Sequence, residues 1–184
     1  PSPYYASSRR FLSPLYLDVA AVPGASTVGA ALERAAAAGG ALNESSRIDR
    51  DAVWQIKLEA LDAIWEHVRG AVTEGATGDG PVGDDAAAEQ HAVFCALAEH
   101  HGTGWRDWPH EHRHPDLPGV AEFAERHHDR VAFWRWLQVE AERQLSSASR
   151  AGAALLADLP VGFDPSGSDA WIDQDLLALD CSIG

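Results

Sequence analysis

Ala153-Ala154-Leu155-Leu156-Ala157-Asp158-Leu159-Pro160-Val161-Gly162-Phe163-Asp164 is a short apolar run that ends abruptly at an aspartate and passes into a turn-rich acidic loop. The run has strand length, follows a long amphipathic pattern and begins after a stop at Gly152, so it reads as a strand buried on both faces of a parallel sheet. Functional side chains of barrel-type parallel sheets stand at the carboxyl ends of the strands, which makes Asp158 a candidate site residue. Beyond it, Asp164-Pro165-Ser166-Gly167-Ser168-Asp169-Ala170-Trp171 is forced into a loop by Pro, Gly and Ser, with Asp169 and Trp171 expected within reach of Asp158. Carboxylates beside an indole suit a sugar. The competing reading is an ordinary helix-to-strand unit with solvated loop acids, because position in a fold is not yet chemistry.

Working outward, residues 1–24 carry Pro1, Pro3, Pro14 and Pro23 and read as an extended loop with one strand-like piece, Leu15-Tyr16-Leu17-Asp18-Val19. Ser26 or Thr27 is placed to cap an Ala-rich helix that ends at Gly39-Gly40. Asp49 or Asp51 starts a clearer helix, with Trp54, Leu58, Leu61, Trp65 and Val68 forming one apolar stripe. Residues 70–85 are rich in Gly and acid and read as a flexible linker, followed by a helix over 85–100. A Trp-, His- and Pro-rich stretch over 102–118 is too punctuated to be regular. The longest helix is expected over 119–150, with Val120, Phe123, His127, Val131, Trp134, Leu137, Ala141 and Leu145 on one face. Helix then buried strand, after a largely helical excursion, favours α/β architecture over a plain bundle.

A chain of 184 residues can bury a real core. Only 14 Lys and Arg stand against 28 Asp and Glu, a net charge of -14, which argues against nucleic acid as partner because phosphate binding needs clustered cations. No run approaches the ~20 apolar residues that span a bilayer. Two cysteines, Cys95 and Cys181, cannot form a disulfide framework, and a reducing cytoplasm fits them best. The chain lacks Met and opens on Pro1-Ser2-Pro3-Tyr4-Tyr5, from which a portion of a longer protein is expected.

Eight of the nine histidines fall between His91 and His128, including His100-His101 and the alternating His110, His112 and His114. Structural zinc wants Cys with His, or His at helical spacing beside a third ligand, so a solvated polar loop is expected here and no metal. The acidic loop resembles a calcium loop but has Asp169 where that loop needs Gly. Walker, nucleophile-elbow and dinucleotide signatures are missing, and no cofactor is implied. Trp54, Trp65 and Trp134 lie on helix stripes and read as core, whereas Tyr4, Trp105, Trp108 and Trp171 lie in loops where an aromatic face could meet a ligand.

The order of motifs carries a resemblance. Ser2-Pro3-Tyr4 is followed by Ser13-Pro14-Leu15-Tyr16-Leu17-Asp18, Ile48-Asp49-Arg50-Asp51-Ala52-Val53-Trp54-Gln55-Ile56-Lys57, and Phe94-Cys95-Ala96-Leu97. Then come Trp105-Arg106-Asp107-Trp108-Pro109, Arg135-Trp136-Leu137-Gln138 and Asp158-Leu159-Pro160-Val161-Gly162. This series resembles the amylomaltases, the 4-alpha-glucanotransferases also called disproportionating enzymes, over essentially the whole chain. The resemblance implies an α/β fold, a fragment of a (β/α)8 TIM barrel made of mostly helical insertions plus an early barrel strand. It divides the chain at residue 118: a loop and largely helical insertion subdomain over 1–118, then a barrel helix, barrel strand and site loop over 119–184.

By the same resemblance, alpha-1,4-glucans and maltooligosaccharides are the partners and a retaining double displacement is the mechanism. Tyr4 would stack beside the sugar at the cleavage point and Asp158 would line the donor side. Asp169 and Trp171 match the loop after that strand and are expected to support it more than to touch substrate. No catalytic residue falls within these 184 positions. Arg47-Ile48-Asp49 mimics the family's Arg-x-Asp nucleophile motif but precedes the Asp158 strand, whereas the nucleophile follows it. Ala157 stands where the family usually has Gly, and Tyr5 where a small or polar residue is usual. The alternative class is a non-catalytic helical module, carbohydrate- or metal-binding, that recognises its ligand through residues 102–118.

Overall fold

The structure is a computed structural model that describes residues 5–75, 85–151, 158 and 160–178. Its helices are α1 (Gly29–Leu42), α2 (Arg50–Gly75), α3 (Asp85–His101), α4 (Pro118–Arg126), α5 (His128–Ser149) and α6 (Ser168–Ile172), with short 3-10 turns between them. Two compact units emerge, one of Pro1–Leu12, Pro81–Val139 and Ser149–Gly184, the other of Ser13–Gly80 and Glu140–Ala148. Helix α4 begins at Pro118, within the first unit. Among the described residues no helix is long and apolar enough to cross a membrane.

In the second unit α2 is the organising element. Asp49 caps it, its Oδ1 accepting from the Ala52 N–H at 2.9 Å. The stripe read from the sequence buries Leu61 and Trp65, joined by Ala60 and Ile64, and α2 packs against α1 and the turns that precede it. Those turns, Pro14–Tyr16, Val19–Ala21 and Ala25–Val28, are closed by short-range backbone bonds such as Leu17 N to Pro14 O and Val22 N to Val19 O. Side chains of α2 and α5 tie them down from outside. Lys57 Nζ donates to Leu15 O at 2.6 Å and Leu17 O at 2.8 Å, and burial lowers its pKa against the opposing pull of Asp18. Gln144 accepts from Asp18 N and donates to Asp18 O, both at 2.8 Å, while Arg143 Nη2 donates to Ala21 O at 2.7 Å.

The first unit has an aromatic core. Phe94 of α3 lies against Trp108 and Trp171, with centroids 5.4 and 5.7 Å away. Phe123, Val131, Phe133 and Leu137 complete the buried face of α4 and α5. Glu99 on α3 receives Arg130 through two bonds of 2.6 Å and the Trp134 indole N–H at 3.2 Å, which fixes α5 to α3.

Several expectations change. The strand expected at 153–157 lies outside the described residues, within which the only β pairing is an isolated parallel bridge between Ala6 and Phe163. Leu15-Tyr16-Leu17-Asp18-Val19 forms parts of 3-10 turns, not an extended piece. Neither Ser26 nor Thr27 caps α1, which starts after Val28 and runs through Gly39-Gly40 to Leu42. Two glycines cost ~1 kcal/mol each without stopping a helix that Ala and Leu extend on both sides. Gly70 belongs to α2, which ends at Gly75 and is the longest described helix. The helix expected over 119–150 breaks at His127, whose backbone leaves the helical region (φ -114°, ψ 27°) while its ring stacks on Phe123 at 4.3 Å. The loop expected over 164–171 contains α6.

The Lys57 contacts generate a test. Lys57→Met keeps the apolar stem and strips the donors from two carbonyls, a change worth ~1–3 kcal/mol. Hydrogen exchange across residues 15–28 should accelerate accordingly, and unchanged exchange there would remove Lys57 from the account.

Candidate functional site

The loop after Asp158 is built from its own sequence first. Asp164 accepts the Ser166 N–H through its Oδ1 and the Gly167 N–H through its carbonyl, both at 2.8 Å, an Asx-type turn that delivers Ser168 to the start of α6. Gly167 is required by proximity: a Cβ there would stand 2.5 Å from Ser7 O and 2.6 Å from Ser7 Cα. The segment 5–12 lies against this turn. Asp164 N donates to Ala6 O at 2.9 Å, Ser168 N to Ser7 Oγ at 3.1 Å, and Asp169 N to Ser7 O at 3.1 Å.

Asp169 completes the clasp. Its Oδ1 accepts from Ser8 Oγ at 2.6 Å and its Oδ2 from the Arg9 N–H at 2.8 Å, with Arg10 Nε 3.5 Å from Oδ1. Arg10 Nη2 also donates to Asp173 Oδ2 at 3.0 Å, one helical turn on. Asp169 is only 4% exposed, so its charge stands on these donors.

On its other side the loop rests on residues 105–113. Trp105 Nε1 and Arg106 Nη1 both donate to Pro165 O, at 3.0 and 2.8 Å, and Trp171 Nε1 donates to His112 O at 3.0 Å. Trp105, Trp108, His112 and Trp171 are all buried. Most of 102–118 stays exposed or half-buried, but its two tryptophans and His112 point into the core, so the recognition surface of the binding-module reading loses its tryptophans. Local punctuation predicted irregular backbone correctly but says nothing about burial.

The histidine cluster is only in part the solvated loop expected: His100, His110 and His128 are exposed, while others turn inward. His112 is buried and His101 Nε2 lies 2.9 Å from His112 Nδ1, one ring donating to the other. Burial, then His100 and His112, push the His101 pKa down against Glu111, and burial, then His100 and Arg126, do the same to His127. His91 is buried in α3, and desolvation takes its pKa to about 4 despite Asp169, with Arg10 adding to the shift. Burial likewise raises the Cys95 thiol. Among the described residues no group of three or more His, Cys, Asp or Glu is placed to hold a metal.

Of the four residues singled out from the sequence, Asp158 is exposed, Asp169 and Trp171 are buried in one wall, and Tyr4 lies outside the described residues. Ser7, Ser8, Gly167 and His91 were missed. A run of two hydroxyls and two cations, Ser7-Ser8-Arg9-Arg10, was the available signal for a carboxylate partner.

A family profile described as 4-alpha-glucanotransferase matches residues 1–184, and the chain belongs to that family. Proteins named 4-alpha-glucanotransferase from Mycobacterium bovis and Mycobacterium tuberculosis are 40% identical over 193 residues, covering all of this chain and 27% of theirs. One of the same name from Haemophilus influenzae is 27% identical over 209 residues, covering all of this chain and 30% of its own. The chain thus spans about a quarter of the length of the curated relatives it matches.

Two outcomes follow from this geometry. Gly167→Ala drives a Cβ into rigid backbone and should destabilise by ~1–3 kcal/mol, loosening residues 5–12 and 163–173 together in hydrogen exchange. Stability should also depend on acid: His91 and His101 resist in the folded chain the proton that an unfolded imidazole takes near pH 6.5. Stability is then full above that pH and falls below it, for His91 down to about pH 4. Urea midpoints measured from pH 8 to pH 4 check the slope, and a flat profile would contradict it.

Proposed function

We propose that residues 1–184 are part of a 4-alpha-glucanotransferase that moves alpha-1,4-glucan segments between maltooligosaccharides. The family match across the whole chain carries this reading. In it, the parent is a cytoplasmic (β/α)8 barrel, residues 1–118 are a largely helical insertion between early strands, and residues 119–184 supply a barrel helix, a strand ending at Asp158 and its site loop. The nucleophile and the acid/base carboxylic acid stand outside these residues, so the 184-residue chain alone is inactive.

The chemistry of that proposal is a double displacement. A carboxylate attacks the anomeric carbon as a carboxylic acid protonates the departing glycosidic oxygen, and the covalent glycosyl-enzyme is then opened by an acceptor hydroxyl that gives its proton back to the same acid. Transfer prevails over hydrolysis while glucan fills the acceptor side and excludes water. Tyr4 stacks on the sugar at the cleavage point and Asp158 hydrogen-bonds donor-side hydroxyls. Asp169 and Trp171 act as positioning residues, a role supported by the burial of both side chains and by the hydrogen bonds they make to Ser8, Arg9 and His112.

Incubating the complete polypeptide with maltotriose should give glucose and a ladder of longer maltooligosaccharides. A carboxylate bond to a sugar hydroxyl is worth ~1.5–3 kcal/mol, so Asp158→Asn should lower kcat/KM about ten- to a hundredfold. Maltotriose left unchanged by a folded wild-type protein would end the proposal.

A further inference from the structure

His91 and Ser168 have the spacing of a base and a nucleophile, with Nδ1 and Oγ 2.7 Å apart, yet both are buried and Ser168 has no exposed surface. No substrate reaches that hydroxyl, so the pair has a different task. Its surroundings identify the task. The His91 ring stacks on Phe11 with centroids 4.3 Å apart and planes 16° apart. Phe11 belongs to the segment 5–12 that the start of α6 grips through Ser7, Ser8 and Asp169. The second ring nitrogen, Nε2, faces Cys95 Sγ at 3.6 Å, one turn along α3. A single imidazole therefore touches α3, the segment and α6.

We propose that His91 is a positioning residue for glucan transfer: holding Phe11 with its face and Ser168 with Nδ1, it fixes both the segment that starts one residue after Tyr4 and the loop that follows Asp158. This rests on the glucanotransferase reading above. His91 has no contact with sugar in this role and acts by shape. The site needs a flat face and a polar edge at once. Asn supplies the edge without the face, Phe the face without the edge. The ionisable groups that act on the ring are Asp169 and Arg10, of opposite sign, with the Cys95 thiol beside it. The ring stays neutral at working pH, so its place is set by packing, the short bond to Ser168 and the longer contact with the Cys95 thiol.

The test uses the complete transferase carrying residues 1–184, with steady-state transfer from maltotriose and hydrogen exchange read on His91→Asn, His91→Phe, Ser168→Ala and the double variant His91→Phe/Ser168→Ala. A displacement of about 1 Å far from the chemistry can cost about a hundredfold. Each single variant should therefore lower kcat/KM about ten- to a hundredfold, mostly in kcat, with exchange accelerated at residues 5–12 and 163–173 alone. The double variant should lose no more than the worse single one, because both cut the same contact. Folded variants with kcat and KM within twofold of an active wild type would overturn the proposal, as would losses that multiply in the double variant. Where His91→Phe fails to fold, Ser168→Ala decides by the same readouts. A wild type that leaves maltotriose unchanged overturns the glucanotransferase reading and this one with it, whereas an active wild type with unaffected variants overturns this one alone.

Discussion

The Asp169 carboxylate is the contact on which the described site wall depends, because it joins Ser8 and Arg9 to α6 across 161 and 160 residues of chain. A buried carboxylate is expensive to dehydrate, and the cost is offset only when every oxygen keeps its donors. Here the donors are a hydroxyl and a backbone N–H, with a guanidinium close by. Such a site is intolerant: pulling the segment 5–12 away from α6 strands the charge. Gly167 then follows as a necessity, since the same clasp brings Ser7 backbone to the position a Cβ would occupy.

Elsewhere irregular backbone is held by side chains that imitate a neighbouring strand. A carboxamide offers one acceptor and a donor group side by side, the pattern that a β partner presents to a residue's N–H and C=O. Gln138 meets Leu12 this way, accepting its N–H at 3.0 Å and donating to its carbonyl at 2.9 Å. Gln144 does the same to Asp18. Each glutamine is a helical residue of its own unit, so in each a segment without periodic structure gains a defined position from a helix. Lys57 extends the device with two carbonyls on one ammonium.

What could be read from the sequence was what is local and periodic. The stripe of α2, its Asp49 cap and the beginning of α3 follow from 3.6-residue spacing and capping chemistry, and the structure has them. The break at His127 was hidden, because α4 and α5 keep apolar residues in step across it and nothing in the spacing signals the ring that stacks on Phe123 there. Trp105, Trp108 and Trp171 were read as candidates for exposure because Pro and Gly surround them. Their indole N–H groups bond to backbone carbonyls at Pro165, Gly102 and His112. A loop can be core when its polar groups are answered, and no window of sequence shows the answering residues. Asp169 was found by its place in a motif, whereas its partners, 160 and 161 residues away, show locally only as the polar run Ser7-Ser8-Arg9-Arg10, which does not say which carboxylate it meets.

The wall also separates two acids by what surrounds them. Asp169 has its oxygens occupied by donors of the protein, so a sugar hydroxyl could bind it only by displacing Ser8 or Arg9 and exposing a buried charge to no compensation. Asp158 is exposed, so its oxygens are open to solvent, and a sugar hydroxyl can take the place of water there at nearly equal enthalpy. On the proposed function, the first carboxylate sets the geometry and the second is free to meet substrate. That division is a consequence of burial and not of residue type, which is why two aspartates eleven positions apart in one loop region can carry different duties.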